Sequence, residues 1–198
     1  HRVEGLRVRN ADYDVSVWGP RLEAEKIMGL DALIAPGDTL PLGGTSFAVL
    51  ATPGHTLGHL AFHNAADRHV FTGDALFSLG CGRMFEGKPA PTWDGLKLLR
   101  DLPDDTLIYC GHEYTAENAR FALTIDPRNP ALNIRAREVL RMRQADRFTI
   151  PVTMGMEKAT NPFLRADQPV IARAMGLEPG LDPSAVFAAL RRAKDNFA

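Results

Sequence analysis

Short apolar runs, each cut off by glycine or proline, fill the first half of the chain, and helical periodicity takes over in the second. Val15-Ser16-Val17-Trp18 is a compact strand candidate that stops at Gly19-Pro20. Phe47 to Ala51 is another, ended by Pro53-Gly54. Leu60 to His63 and Val70 to Thr72 follow at short spacing, with Asn64 to Arg68 as the turn between them. Thr106 to Cys110 is a later strand, closed by Gly111.

Helices are predicted where the period changes. Trp93, Leu96, Leu99 and Leu102 fall near one face of a helix from Trp93 to Leu102. Thr115 is expected to cap a helix beginning at Ala116. Asn129-Pro130 pairs a capping side chain with proline at the first helical position, and that helix should run to about Asp146. Asp182-Pro183 repeats the signature before a last helix ending near the C-terminus. Phe148 to Arg165 contains proline and glycine and shows no clear period. The pattern divides the chain into an α/β domain over residues 1–125 and a helical domain over residues 126–198.

Polar side chains stand immediately after three of the predicted strands. Thr52-Pro53-Gly54-His55 places a histidine there, Phe71-Thr72-Gly73-Asp74 a carboxylate, and Tyr109-Cys110-Gly111-His112 a second histidine. In open α/β architectures, loops at strand ends converge on one edge of the sheet and form the ligand site. Two imidazoles and a carboxylate suit zinc or iron, and a carboxylate can span two cations through its two oxygens. Taken singly, either histidine reads more readily as a capping or core residue, and Asp74 as a turn carboxylate. Three strand ends carrying such groups favour a metal site.

Composition narrows the picture without redirecting it. The chain has 198 residues, 45% hydrophobic and 24% charged, which suits one soluble domain with a small appendage. A net charge of −1 argues against broad capture of nucleic acid or an acidic membrane. Two cysteines, Cys81 and Cys110, are read as reduced thiols of a cytoplasmic protein. No apolar run approaches the ~18 residues needed to span a bilayer. The chain opens at His1 rather than Met, so an N-terminal piece is expected to be missing.

TPGHT, FTGD and GHEY, in that order, resemble the later metal-binding motifs of the metallo-β-lactamase superfamily. FTGDALFSLGCGRMFEG, CGHEYT, ATNPFLR at 159–165 and RRAKDNF at 191–197 narrow the resemblance to the glyoxalase II (hydroxyacylglutathione hydrolase) family, over about Val15 to Phe197. The resemblance implies an α/β fold, an αββα metallo-β-lactamase sandwich whose N-terminal part is missing here, with a C-terminal helical appendage. It implies two divalent metal ions, zinc first, with iron and manganese also compatible. His55 would bind one, His112 the other, and Asp74 would bridge them. An upstream HxHxDH motif should supply further ligands, and His1 stands where its last histidine would; a residue foreign to the protein is the other reading of His1. Arg83, Tyr114, Arg191 and Lys194 match positions that hold the glutathione moiety. Arg191 and Lys194, at i and i+3, share a helical face; a solvated basic helix end is their plainer reading.

The implied reaction is hydrolysis of S-lactoylglutathione to glutathione and D-lactate by a metal-bridging hydroxide. The resemblance fits a cytoplasmic monomer acting on a small molecule, with no nucleic-acid or membrane partner. Phe85 departs from a tyrosine found in some relatives and lacks its hydroxyl. Cys81 is read as a packing residue, and His59 as a support for a ligand. Three rivals remain: a glutathione persulfide dioxygenase with one iron, a hydrolase of the same fold acting on other esters or thioesters, and a non-catalytic remnant of the fold.

Overall fold

The computed structural model describes residues 16–197. His1 and the start of the first expected strand therefore lie outside the described residues. That strand, β1, is Trp18–Pro20, and it pairs in parallel with β2, Ala32–Ile34. Gly19 and Pro20, expected to stop it, are paired opposite Leu33 and Ile34. Proline is tolerated because it sits at the end of a two-stranded edge, where its missing N–H breaks no central ladder.

The next strands are β3 (Thr39–Leu42), β4 (Thr45–Ala51), β5 (Leu60–Asn64) and β6 (His69–Gly73), followed by the small hairpin β7 (Leu76–Phe77) and β8 (Gly80–Cys81). With β9 (Leu107–Cys110) and β10 (Val152–Thr153), they build a six-stranded sheet in the order β10-β9-β6-β5-β4-β3, the hairpin standing apart. The expected turn between β5 and β6 is fastened by Asn64, whose side-chain oxygen accepts from the Asp67 N–H. Pairing is antiparallel except between β6 and β9, which are parallel. Since β4 and β6 both run antiparallel to β5, the C-terminal ends of β4, β6 and β9 all open on the same edge.

Period-two alternation gives the sheet two apolar faces. Leu50, paired with Ala61, and Val70, paired with Ile108, share one face of four strands and pack into the cluster formed with the helices. Val49, Phe62 and Phe71 turn to the other face. There Phe62 and Phe71, with Phe47, Leu40 and the Trp18 and Ile34 side chains of β1 and β2, line an apolar groove of about 450 Å³.

Six helices follow: α1 (Pro89–Arg100), α2 (Thr115–Ile125), α3 (Pro130–Gln144), α4 (Met154–Thr160), α5 (Pro169–Ala174) and α6 (Pro183–Asp195). In α1, Pro89 sets the start a turn earlier than the apolar period alone suggests, and Trp93, Leu96 and Leu99 are buried as expected. Asn129 caps α3 by accepting from the Leu132 N–H, and Asp182 caps α6 by accepting from the Ser184 N–H. Thr115 does not cap α2: it lies inside the helix, and its hydroxyl is hydrogen-bonded to that of Thr149 at 2.6 Å. The stretch from Phe148 to Arg165 is ordered by tertiary contacts instead of periodicity. It supplies β10, α4 and a 3-10 turn at Pro162–Arg165.

One apolar cluster joins residues from both parts of the chain. Trp93, Leu96 and Leu99 of α1 share it with Phe163, Phe187 and Leu190, and Trp93 stacks on Phe187 at 6.1 Å between ring centroids. No helix among the described residues is long and apolar enough to cross a membrane.

Phe187→Ala removes the ring that meets both Trp93 and Phe163. It should cost about 3–5 kcal/mol of unfolding free energy in urea denaturation, the usual range for an emptied aromatic core site.

Candidate active site

The three strand-end side chains meet. Asp74 follows β6 and His112 follows β9, its parallel neighbour, with Gly73 in register with Cys110. His55 reaches the same point from the loop after β4. His55 Nε2 lies 3.6 Å from Asp74 Oδ2, and His112 Nε2 lies 3.4 Å from Asp74 Oδ1. Each imidazole thus faces a different oxygen of one carboxylate.

Those separations exceed the ~2.7–2.9 Å expected of a charge-assisted hydrogen bond. Two ligands on a tetrahedral cation at bond lengths of ~2.1 Å stand about 3.4 Å apart. The spacing therefore fits donors that share cations better than donors bonded to each other. Among the described residues no three metal-ligating side chains surround a single point. The two histidines instead face different oxygens of the one carboxylate. His1, the fourth expected ligand, lies outside the described residues.

Backbone and neighbouring side chains hold this arrangement. The Nδ1 of His55 is 3.1 Å from the Arg83 carbonyl oxygen, a bond that puts the proton on Nδ1 and turns the Nε2 lone pair toward Asp74. His59 supports the carboxylate loop, as expected: its Nε2 accepts from the Asp74 N–H at 3.2 Å while Nδ1 meets the Thr52 hydroxyl at 2.8 Å. Burial, assisted by the neighbouring His55, pushes the pKa of His59 down, which keeps it the neutral ring these bonds require. Two glycines make room for Asp74. A Cβ on Gly111 would lie 2.4 Å from Asp74 Oδ1, and one on Gly82 would lie 1.9 Å from the Asp74 carbonyl oxygen.

His112 is stacked on Tyr114, with ring centroids 4.8 Å apart and planes within 10°. His112, Asp74, His55 and Tyr114 line a cavity of about 490 Å³. The basic residues singled out from sequence, Arg83, Arg191 and Lys194, line the same cavity. Arg191 is buried at 4% exposure and donates to the Cys81 carbonyl oxygen at 2.7 Å. Its Nε is buried without a hydrogen-bond partner among the described residues.

Two acids paired with these basic residues were missed from sequence. Asp195 Oδ1 lies 3.0 Å from an Arg191 guanidinium nitrogen and 3.2 Å from Arg83 Nε, so one oxygen ties the two cations together. The i, i+4 spacing from Arg191 to Asp195 could have revealed half of that contact. Glu117 pairs with Lys194, whose hydrogen bond holds the carboxyl below the usual carboxylate range. They lie on different helices, and nothing in the sequence pairs them. Cys81 behaves as the packing residue expected. Burial pushes its thiol pKa up despite the nearby Arg191, leaving it protonated and unreactive. Phe85 is exposed and meets the His55 ring edge-on at 5.0 Å.

A sheet whose strand ends deliver this donor set, beside a cationic cavity wall, defines a metal-dependent hydrolase of the metallo-β-lactamase type. The profile of the metallo-beta-lactamase superfamily matches residues 4–112, more than half of the chain, and the chain belongs to that superfamily. Divalent metal binding goes with that membership. The fold is similar to that of the B3 metallo-beta-lactamase BLEG-1, at 19% identity and TM-score 0.56 over 80% of this chain and 68% of that one. It is also similar to a metallo-beta-lactamase from Staphylococcus aureus subsp. aureus COL, at 19% identity and TM-score 0.59 over 96% and 52%.

The profile of the hydroxyacylglutathione hydrolase C-terminus matches residues 113–197. The hydroxyacylglutathione hydrolase of Brucella anthropi is 50% identical over 98% of this chain and 75% of its own length. That of Rhizobium meliloti is 49% identical over 93% and 72%. The chain therefore belongs to the hydroxyacylglutathione hydrolase family.

Gly111→Ala should lower the affinity for added zinc by about 10- to 100-fold, the loss typical when a ligand's support is disturbed. Calorimetric titration measures it, and unchanged circular dichroism separates it from unfolding.

Proposed function

We propose that this protein hydrolyses the thioester of S-lactoylglutathione, giving glutathione and D-lactate, with two divalent cations, zinc first, held by His55, Asp74 and His112. The observation that carries this reading is the paired 3.6 and 3.4 Å approach of two imidazoles to opposite oxygens of Asp74, in a cavity whose other wall is cationic. Bound there, divalent cations would supply Lewis acidity toward the thioester carbonyl and make water acidic enough to attack near neutral pH.

The remaining work falls to the chain's own groups. His55, fixed through its Nδ1, and His112, stacked on Tyr114, keep their Nε2 atoms directed at the shared carboxylate. Arg83, Arg191 and Lys194, which line this cavity, would receive the carboxylates of glutathione. Charge-assisted hydrogen bonds of this kind orient a flexible tripeptide, so that its thioester is presented to the metal end. Phe77 and Phe85 contribute apolar walls next to the histidines. Water adds its oxygen to the acyl carbon and releases a proton to solvent, the C–S bond breaks, and the pair of electrons leaves with sulfur. A thiol with a pKa of ~8.5 departs readily as thiolate, so the site needs no dedicated acid.

In this reading residues 1–125 carry the chemistry and residues 126–198 add the grip on the substrate. A cytoplasmic monomer without nucleic-acid or membrane partners completes it, in keeping with the net charge of −1.

Release of free thiol from S-lactoylglutathione by the metal-loaded protein tests the proposal directly. Asp74→Ala should reduce turnover to the uncatalysed background, and wild-type rates in that variant would overturn the assigned bridge. Lys194→Ala removes one charged donor worth about 1.5–3 kcal/mol, and should therefore raise KM by about 10- to 100-fold with a smaller change in kcat. Steady-state kinetics on the glutathione thioester reads that split.

A further inference from the structure

Glu157, in α4, is fully buried, and among the described residues no cation forms an ion pair with it. Its Oε1 accepts from the Ser78 hydroxyl at 2.9 Å, and its Oε2 accepts from the Leu79 N–H at 2.8 Å and the Asn161 amide at 2.9 Å. A buried carboxylate costs several kcal/mol unless its surroundings satisfy it, so this network is a feature that needs a reason. Burial pushes its pKa up, while the bonds from Leu79, Ser78 and Asn161 work in the opposite direction.

The three donors converge on the tight turn of the β7–β8 hairpin. Leu79 there has φ of +60°, a left-handed conformation that a leucine adopts only when its surroundings impose it. Asn161 continues the hold by donating to the Gly80 carbonyl at 3.0 Å. Both arms of the hairpin then enter the active-site cavity. Phe77 on β7 meets the rings of His112 and Tyr114 edge-on, at 6.0 and 5.4 Å between centroids. Cys81 on β8 offers the carbonyl oxygen that anchors Arg191.

We propose that Glu157 is a positioning residue for the thioester reaction: by holding the Ser78-Leu79 turn, it sets the hairpin that places Phe77 beneath His112 and fixes the Arg191 anchor. The inference rests on the glutathione-thioester reading for its kinetic consequence, while its structural half stands independently. The network also dictates which substitution is tolerated. In Glu157→Gln the side-chain oxygen can still accept from Leu79 and Asn161, and the new amide can donate to the Ser78 hydroxyl, which accepts as well as donates. Glu157→Leu keeps roughly the volume and removes every acceptor, leaving the Leu79 N–H orphaned.

The test uses the metal-loaded full chain, with S-lactoylglutathione kinetics and amide hydrogen exchange at Leu79. Glu157→Gln should keep KM within about twofold and keep Leu79 protected, whereas Glu157→Leu should raise KM by about tenfold, with kcat falling less, and speed Leu79 exchange by about a hundredfold. Should the leucine variant not fold, Ser78→Ala combined with Glu157→Gln decides. Ser78→Ala alone leaves the charged Glu157 Oε1 without its donor, whereas the pair strands only a neutral amide, so the effect of the pair on KM and on exchange should fall below the sum of the two single changes. A folded Glu157→Leu with wild-type KM and wild-type Leu79 exchange overturns the proposal, as does strict additivity in the Gln and Ala pair. If the wild type does not turn over S-lactoylglutathione, the functional reading fails by itself. Leu79 exchange and the Arg191 guanidinium resonance of the variants then still decide whether Glu157 sets the hairpin.

Discussion

The separation between the Asp74 carboxylate and the imidazoles of His55 and His112 is the constraint around which this molecule is organised. Three polar groups stand close enough to share cations and too far apart to satisfy each other by hydrogen bonds. Maintaining that spacing requires three loops to be placed independently to within a few tenths of an ångström. The sheet supplies this by topology, since β4, β6 and β9 run in the same direction and release their chains at the same edge. The backbone then completes it, through the Arg83 carbonyl on His55 and the space that Gly82 and Gly111 leave for Asp74.

The helical part of the chain is bound into the same construction. Strand β10 extends the sheet beside β9, and Phe163 and Phe187 enter the apolar cluster that includes Trp93 of α1. Glu113, adjacent to His112, accepts from both the N–H and the hydroxyl of Thr149, so the loop carrying His112 is fastened to the segment leading into β10. The cationic wall of the cavity is likewise assembled across the chain, with Arg83 from the loop after β8 joined to Arg191 of α6 through Asp195. The basic side chains of the cavity and the strand-end His55, Asp74 and His112 are thus parts of one packed body, a rigidity that suits the orientation of a flexible ligand.

Much of this was legible before folding because it is local. A glycine followed by a histidine or an aspartate after an apolar run reports a polar side chain at a strand end, and the convergence of His55, Asp74 and His112 was legible that way. Caps at Asn129 and Asp182 depend on side chains two or three residues from the N–H they receive, and the sequence displays both partners. Thr115 shows the limit of such reasoning. It has the chemistry of a cap, yet the tertiary partner Thr149 claims its hydroxyl, and the helix begins around it.

By itself, then, the sequence indicated β1, β4, β5, β6 and β9, the helices α1, α2, α3 and α6, the three strand-end side chains and the basic residues near the C-terminus. Each depends on periodicity or on neighbours within a turn of the chain. Only the tertiary structure decided that Asp195 joins Arg83 to Arg191, that Glu117 holds Lys194, and that aperiodic residues 148–165 become a sheet strand, a helix and the seat of Glu157. Those outcomes depend on side chains distant along the chain meeting in a buried space, where desolvation makes every unpaired polar group costly and so selects its partner.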